Sequence, residues 1–229
     1  DGRVFGLDAV SGRRLWIHDR NVPLLTLRGN ADLLVRGGFV YVGYDDGSVV
    51  NLRLSDGSQV WSQTIVSPEG RTELDRLADI GQHMVLIASD LIVSSHKSRV
   101  VSLAADSGRL LWFKDISSST GVVVDRTNLA VSEKNGDLWM LDRRNGSTLW
   151  KVDQMTNRGL TRPAFYGNYV VVGDKEGYLH WLDSDIGSFV ARERAGKDGF
   201  AAAPLSVGTT LYVLTLDGEL MAYRAGAAL

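Results

Sequence analysis

The side chains that could support acid–base or metal chemistry are scattered along this sequence. The four histidines, His18, His83, His96 and His180, are far apart and show no metal-ligand spacing such as His-x-x-x-His. Cysteine is absent, which excludes a thiolate nucleophile, a disulfide and a cysteine-ligated zinc site. We find no glycine-rich phosphate loop and no Gly-x-Ser-x-Gly nucleophile motif. The sequence therefore predicts no catalytic residue, no metal site and no cofactor.

Acidic residues stand beside glycines in a pattern that could hold a cation or form turns. They are Asp45, Asp46, Asp174, Glu176 and Asp217. Aspartate is already favoured in turns, because its side chain hydrogen-bonds the backbone two residues further on. We interpret these acids as turn residues, and we ask next which elements the turns connect.

The turn glycines belong to a repeat that runs through the whole chain. In each clear copy 14 positions separate a glycine from a tryptophan: Gly2 and Trp16, Gly47 and Trp61, Gly136 and Trp150. A fourth copy ends at Trp112 and has serine in place of the glycine. Weaker copies begin at Gly177, where Ala191 replaces the tryptophan, and at Gly218. Successive copies begin 38 to 51 residues apart, a period typical of repeat architectures.

Each repeat predicts four short antiparallel strands, named A to D in chain order. Asp-Gly or Asn-Gly between β-rich runs is a strong hairpin signal and predicts a type I′ turn between strands B and C. Each run before that turn has a valine five residues ahead of the glycine position: Val42, Val93, Val131, Val172 and Val213. Four strands about every 40 residues predict an all-β fold, a β-propeller of four-stranded antiparallel blades. A solenoid is the alternative.

The repeat tryptophans fall on strand D, the outer strand of each blade. We interpret Trp16, Trp61, Trp112 and Trp150 as structural residues, because a large ring wedged between neighbouring blades buries much apolar surface.

Strand counting predicts an incomplete ring. The chain begins at a B–C turn, supplies four whole blades, and ends after strand C of a last blade. We therefore expect residues 1–229 to form a single β-propeller domain that is incomplete at its N-terminus.

Two adjacent D-to-A connections are longer than the others. From the tryptophan position to the next turn glycine position the chain takes 31 and 37 residues there, against 24, 27 and 27 elsewhere. The two connections contain residues 17–30 and 67–81. Since connections of one type open on one face of a propeller, we expect these two to lie side by side.

The residue types in the two connections predict a protein-binding patch. The first contains Leu24, Leu25 and Leu27 next to Arg28, and the second contains Arg71, Glu73, Asp75, Arg76 and Asp79. An apolar centre with arginine and a charged rim is typical of protein interfaces. The alternative is that the leucines fold inward and the charges are merely solvated. The stretch 72–79 could form a single helical turn.

The overall composition is that of a globular protein without a strongly charged partner surface. Hydrophobic residues make up 44% and charged residues 23% of the 229 residues, and the net charge is -2. Such a balance argues against a general nucleic-acid binder and against a polybasic membrane patch.

The repeat, with its Leu-Asp, Gly and Trp positions, resembles the PQQ-like repeat of eight-bladed propellers. Three stretches, LLTLRGNA (24–31), GRTELDRLADI (70–80) and VVVGDKEGYLHWLD (170–183), narrow the match. They look like the BamB family of outer-membrane protein assembly factors. The resemblance covers nearly the whole chain and implies a partial ring of about five to six of eight blades.

The resemblance implies a non-catalytic lipoprotein scaffold at the periplasmic face of the outer membrane. The resemblance implies that such proteins bind the POTRA domains of BamA, support the folding and insertion of outer-membrane proteins, and contact nascent outer-membrane proteins. The family residues of that contact match Leu25, Leu27, Arg28 and Asp79, and Gly81 stands where the family has another aspartate. The family's N-terminal lipid-bearing cysteine is absent, which fits an N-terminally truncated chain.

Two other functions are weighed against this one. The same propeller type occurs in quinoprotein dehydrogenases that use PQQ and calcium, typically with a vicinal disulfide that a cysteine-free chain cannot form. A sugar-binding propeller has little support, because aromatic residues are only 8% and most stand at repeat positions.

Overall fold

The computed structural model describes residues 2–20, 33–66, 83–96 and 98–224, and all of its regular elements are β-strands. The chain divides into two compact units, residues 1–119 and 120–229. Within the described ranges no helix has the length and apolar character needed to cross a membrane.

The first unit contains three antiparallel sheets in chain order. Sheet I comprises β1 (Arg3–Leu7) and β2 (Arg14–Asp19). Sheet II comprises β3 (Leu34–Arg36), β4 (Phe39–Gly43), β5 (Ser48–Arg53) and β6 (Gln59–Thr64). Sheet III comprises β7 (Val85–Ile87), β8 (Asp90–Ser94), β9 (Val100–Ala104) and β10 (Leu110–Lys114).

The second unit contains the remaining three sheets. Sheet IV comprises β11 (Val122–Val124), β12 (Asn128–Ser132), β13 (Leu138–Asp142) and β14 (Thr148–Val152). Sheet V comprises β15 (Ala164–Tyr166), β16 (Tyr169–Gly173), β17 (Tyr178–Asp183) and β18 (Phe189–Arg194). Sheet VI comprises β19 (Leu205–Val207), β20 (Thr210–Leu214) and β21 (Leu220–Tyr223).

The strand order confirms the predicted blades. In sheets II to V the four strands pair consecutively, as A, B, C and D, while sheet I supplies C and D and sheet VI supplies A, B and C. The repeat valines lie on strand B and are buried because both faces of the middle strands are covered. Val93, Val131 and Val172 have no exposed surface.

The prediction of type I′ turns between strands B and C is wrong. In sheet II the backbone N–H of Gly47 donates to the carbonyl of Tyr44 (3.1 Å), and only the glycine, at φ 77°, has a positive φ. Asp46 does not, so the loop is a type I turn followed by a glycine bulge. The Asp-Gly signal is common to both hairpin types and does not distinguish them. A two-residue turn with two positive φ values instead joins strands A and B of sheet II, at Gly37 and Gly38.

A β-bulge precedes the tryptophan position on strand D of sheets I to V. In sheet II, for example, Asn51 pairs with Trp61 and Leu52 with Gln59, which leaves Val60 as the extra residue. The extra residues are apolar and exposed in all five sheets: Leu15, Val60, Leu111, Leu149 and Val190. A bulge changes the direction of the following side chain, so in sheets I, II and IV it turns the tryptophan ring toward the next sheet.

Three tryptophans contact the next sheet in the same way. The indole N–H of Trp16, Trp61 and Trp150 donates to the carbonyl of Leu54, Ala105 and Ser184, at 2.9, 3.0 and 2.9 Å. Each accepting residue lies three positions before a glycine of the C–D turn. Those glycines, Gly57, Gly108 and Gly187, have φ of 70–72°.

The glycines are required for contact as well as for conformation. A Cβ atom on any of the three would lie only 2.5–2.8 Å from the indole ring.

The fourth repeat tryptophan is also buried. Trp112 lies on β10, pairs with Ser102 and is 8% exposed.

Sheet V, which lacks the repeat tryptophan, places an indole on the neighbouring strand. Ala191 on β18 pairs with Trp181 on β17. The ring of Trp181 lies edge-on or tilted to the rings of Tyr166, Tyr169 and Tyr223, with centroids 5.7, 6.2 and 6.0 Å away. Since Tyr223 belongs to sheet VI, Trp181 occupies the junction that Ala191 leaves unfilled.

Candidate docking site at the B–C turn of sheet II

The predicted partner-binding residues lie outside the described residues. They are Leu24, Leu25, Leu27, Arg28, Arg71, Glu73, Asp75, Arg76 and Asp79, and the same holds for the predicted helical turn at 72–79. Their roles stay predictions. The structure does describe where both long connections leave and rejoin the sheets.

The first connection begins with an arginine that binds the B–C turn of sheet II. Arg20 Nε lies 3.0 Å from Asp46 Oδ2, and its Nη1 donates to Ser62 Oγ at 3.1 Å. Asp46 Oδ1 in turn accepts the backbone N–H and the hydroxyl of Ser48. Because Arg20 belongs to the segment after sheet I, this ion pair joins that segment to sheet II.

An aromatic ring lies beneath the ion pair. The guanidinium of Arg20 lies 5.4 Å from the centroid of the Tyr44 ring, a cation–π distance. Tyr44 is buried, and burial raises the pKa of its hydroxyl to about 12, although the Arg20 charge acts to lower it. Tyr44 is therefore a neutral platform over the whole physiological pH range.

The second connection begins at the same turn. The carbonyl of Gly47 accepts the backbone N–H groups of Ile65 and Val66, at 2.8 and 3.2 Å. Ile65 and Met84, which flank this connection, are buried in one apolar cluster with Trp61. The first residues of both connections are thus bound to residues 44–48, Arg20 through its side chain and Ile65 and Val66 through backbone hydrogen bonds.

This arrangement holds the first residues of two chain segments at one end of sheet II, and three acidic residues of the turns pair with arginines. No group of three potential metal ligands occurs within the described ranges. Asp46 is instead paired with Arg20, and Asp174 and Glu176 are paired with Arg158. Sequence reasoning missed Arg20 and Arg158, because they stand four and eight residues after their tryptophans and follow no common spacing.

Comparison with known proteins identifies the family. A family model described as "Outer membrane protein assembly factor BamB" matches residues 1–152 and 145–228. The chain belongs to the BamB family. Proteins of that name from Xanthomonas campestris pv. campestris and Pseudomonas aeruginosa are 41% and 42% identical to it over 207 and 205 residues. These alignments cover 90% of this chain and 51% and 54% of the relatives.

The structural comparison agrees with the BamB family and with the propeller fold. The crystal structure of BamB from Moraxella catarrhalis superimposes with a TM-score of 0.88 at 27% identity. That match covers 98% of this chain and 67% of the other. The BamB protein of Escherichia coli is 30% identical over 200 residues, covering 87% of this chain and 51% of its own length. The chain spans about half the length of these curated relatives.

Proposed function

We propose that this chain belongs to a non-catalytic scaffold subunit of the outer-membrane β-barrel assembly machinery. In this proposal it binds the periplasmic POTRA domains of BamA and so supports the folding and insertion of outer-membrane proteins. It acts at the periplasmic face of the bacterial outer membrane, where a lipid anchor outside this chain would hold it.

The shared attachment of the two long connections carries this proposal. Arg20 and the Ile65–Val66 backbone are both bound to residues 44–48, so the two segments begin beside one turn. A partner surface that contacts one segment is then within reach of the other. The names of the relatives, all assembly factors, support the same role over the quinoprotein dehydrogenase alternative.

The proposed contact divides into an anchor and a rim. Leu25 and Leu27 would fill an apolar depression on the POTRA surface while Arg28 makes a charge-assisted hydrogen bond. Asp79 would contribute from the second segment, with Leu24, Arg71, Glu73, Asp75 and Arg76 at the rim.

Reversing the charge of Arg28 tests the proposal. We expect Arg28→Glu to abolish capture of BamA in a pull-down, because a buried arginine at the centre of an interface is typically worth at least 2 kcal/mol, roughly a 30-fold change in affinity. Far-UV circular dichroism should stay unchanged. Asp79→Arg should mainly slow association, since rim charges act on the encounter rate.

Arg36→Glu is the matched control, because Arg36 is an exposed arginine on β3 of the same unit. It should capture BamA like the parent chain. Undiminished capture by Arg28→Glu would remove the assignment of this residue as an anchor.

A further inference from the structure

A second candidate site lies in the other unit, beside β17 and β18 of sheet V. It is a cavity of about 430 Å³ between these strands and the segment that follows β14. Met155, Phe189 and Val190 line it with apolar atoms, and Arg158, His180 and Arg192 line it with charged or polar groups. It is independent of the docking site described above, which belongs to the first unit.

The histidine of this cavity is buried, and only one of its two ring nitrogens forms a hydrogen bond within the described residues. His180 is 3% exposed, and its Nε2 lies 2.7 Å from Oδ2 of Asp174, which is itself 1% exposed. Because Asp174 is an acceptor, Nε2 of His180 carries the proton. Its Nδ1 has no hydrogen-bond partner among the described residues.

The carboxylate of Asp174 is strongly held. It accepts the backbone N–H groups of Glu176 and Tyr178 at 2.9 and 3.0 Å, together with Arg158 Nε at 2.5 Å. Burial acts to raise the pKa of this carboxyl, but the hydrogen bonds from His180, Tyr178, Arg158 and Glu176 outweigh it and hold the pKa low. Asp174 therefore stays charged and keeps the His180 ring in one orientation.

The other repeats show that the scaffold does not need a histidine here. His180 pairs with Val172, the repeat valine of strand B. The residues that pair with the corresponding valines in sheets II and III are Val50 and Val101. A buried histidine paired with an aspartate is more costly to bury than valine and is a common mark of a functional site.

The arginine on the outer strand supplies a free cation. The guanidinium of Arg192 lies 3.9 Å from the centroid of the Tyr178 ring. In the part of the chain that the structure describes it makes no ion pair and no hydrogen bond. Arg158, in contrast, is bound to Asp174 and Glu176. The cavity thus offers one unpaired guanidinium next to an apolar wall.

We propose that this cavity binds a carboxylate attached to an apolar group, with Arg192 pairing the carboxylate and Met155, Phe189 and Val190 contacting the apolar body. A planar monoanion matches one free guanidinium, which can bind it through two parallel hydrogen bonds. A phosphate dianion would require a second unpaired cation. A free organic acid and an acidic side chain of a polypeptide both have this chemistry.

Calorimetry and NMR of the full chain test the proposal with 3-phenylpropionate as the probe. We expect binding of the acid and none of 3-phenylpropionamide, which keeps the apolar body and lacks the charge. Arg192→Gln should weaken binding roughly tenfold or more, as expected for loss of a charge-assisted hydrogen bond. Arg126→Gln, a change at an exposed arginine of the same unit, should bind like the parent chain.

The ring signals of His180 provide a readout of location. Bound acid should shift the ¹⁵N resonances of His180, because the carboxylate paired with Arg192 would lie in the cavity that this ring lines. Burial, together with the charges of Arg158 and Arg192, lowers the pKa of His180, although Asp174 acts to raise it. The ring is therefore neutral at pH 7.5 and reports the bound acid there without a change in its own charge.

The two sources are distinguished with blocked peptides. A Phe-Glu-Phe peptide that is acetylated and amidated, compared with its Phe-Gln-Phe counterpart, tests an acidic side chain. Binding of the Glu peptide alone supports a polypeptide source, and binding of 3-phenylpropionate alone supports a free acid. Equal binding of the acid and its amide, or unchanged binding by Arg192→Gln, would overturn the proposal.

Discussion

The junctions on the two sides of sheet V are both filled by an indole, but the ring comes from different strands. Between sheets IV and V it is Trp150 of strand D, which pairs with Met140 and donates its N–H to Ser184. Between sheets V and VI it is Trp181 of strand C, which pairs with Ala191 and lies among three tyrosine rings. How a junction is filled therefore depends on two residues together, the one at the repeat position on strand D and its cross-strand partner on strand C.

The remaining sheets fit this rule. The residue paired with the repeat tryptophan is Gly6, Asn51 and Ser102 in sheets I, II and III. A Cβ at Gly6 would lie 2.1 Å from the Trp16 ring, so the pair in sheet I has room for one large side chain, whereas sheet IV pairs Trp150 with the unbranched Met140. In sheet V the positions are reversed: the tryptophan, Trp181, is on strand C and the small residue, Ala191, is on strand D.

The largest expected effect is the loss of the Trp150 ring. We expect Trp150→Ala to lower the free energy of unfolding by about 3–5 kcal/mol, because it empties a buried site and leaves the Ser184 carbonyl without its donor. Trp181→Ala should cost roughly half as much, since Trp181 is half-buried and makes no N–H hydrogen bond within the described ranges. Urea titrations followed by circular dichroism measure both.

Leu149→Ala is the control for the Trp150 experiment. Leu149 is the neighbouring bulge residue and is 52% exposed, so its loss should have little effect. Equal destabilisation by Trp150→Ala and Trp181→Ala would mean that the two junctions are held in the same way.

The next largest loss of stability is expected from substituting Gly187, the glycine that contacts the Trp150 ring. Gly187→Ala should destabilise the fold by about 1–3 kcal/mol more than Gly208→Ala, because a Cβ at Gly187 meets the Trp150 ring at 2.8 Å. Gly208 also has a positive φ, 59°, but nothing lies within 4 Å of its Cβ position, so it reports backbone strain alone. In a Trp150→Ala background the difference between the two glycines should disappear.

The smallest effect is expected from exchanging the Trp–Ala pair of sheet V. Ala191→Trp alone should cost about 1–3 kcal/mol, because the pair with Trp181 becomes overpacked. Adding Trp181→Met reproduces the Met–Trp pair of sheet IV and should recover at least half of that loss. A double-mutant cycle in urea measures the coupling, and an additive result would contradict the exchange of roles.

Much of the fold could be predicted because it depends on local signals. The glycine-to-tryptophan spacing, and the valine five residues before each turn, predicted strands B, C and D with Trp16, Trp61, Trp112 and Trp150 on the outer strand. The turn type was missed, because Asp46-Gly47 suits a type I′ turn and a glycine bulge equally well. The bulges were missed because an apolar residue such as Leu149 is equally common in a regular strand, so the sequence does not mark it as the extra residue of a bulge.

The sites depend on contacts that sequence spacing does not encode. Exchange of Trp181 and Ala191 becomes visible only once the register pairs them across two strands. Arg20 reaches Asp46 from 26 residues away, and His180 is notable only against Val50 and Val101 in the same register. The roles of Leu25, Leu27, Arg28 and Asp79 stay predictions from residue type and family resemblance.

The turn at residues 44–48 makes the two long connections mechanically dependent on each other. One peptide carbonyl, that of Gly47, and one carboxylate, that of Asp46, fasten both of them. A substitution that tilts this short hairpin would therefore displace the first residues of both segments together. A ligand that binds both segments would in return restrict the motion of the hairpin.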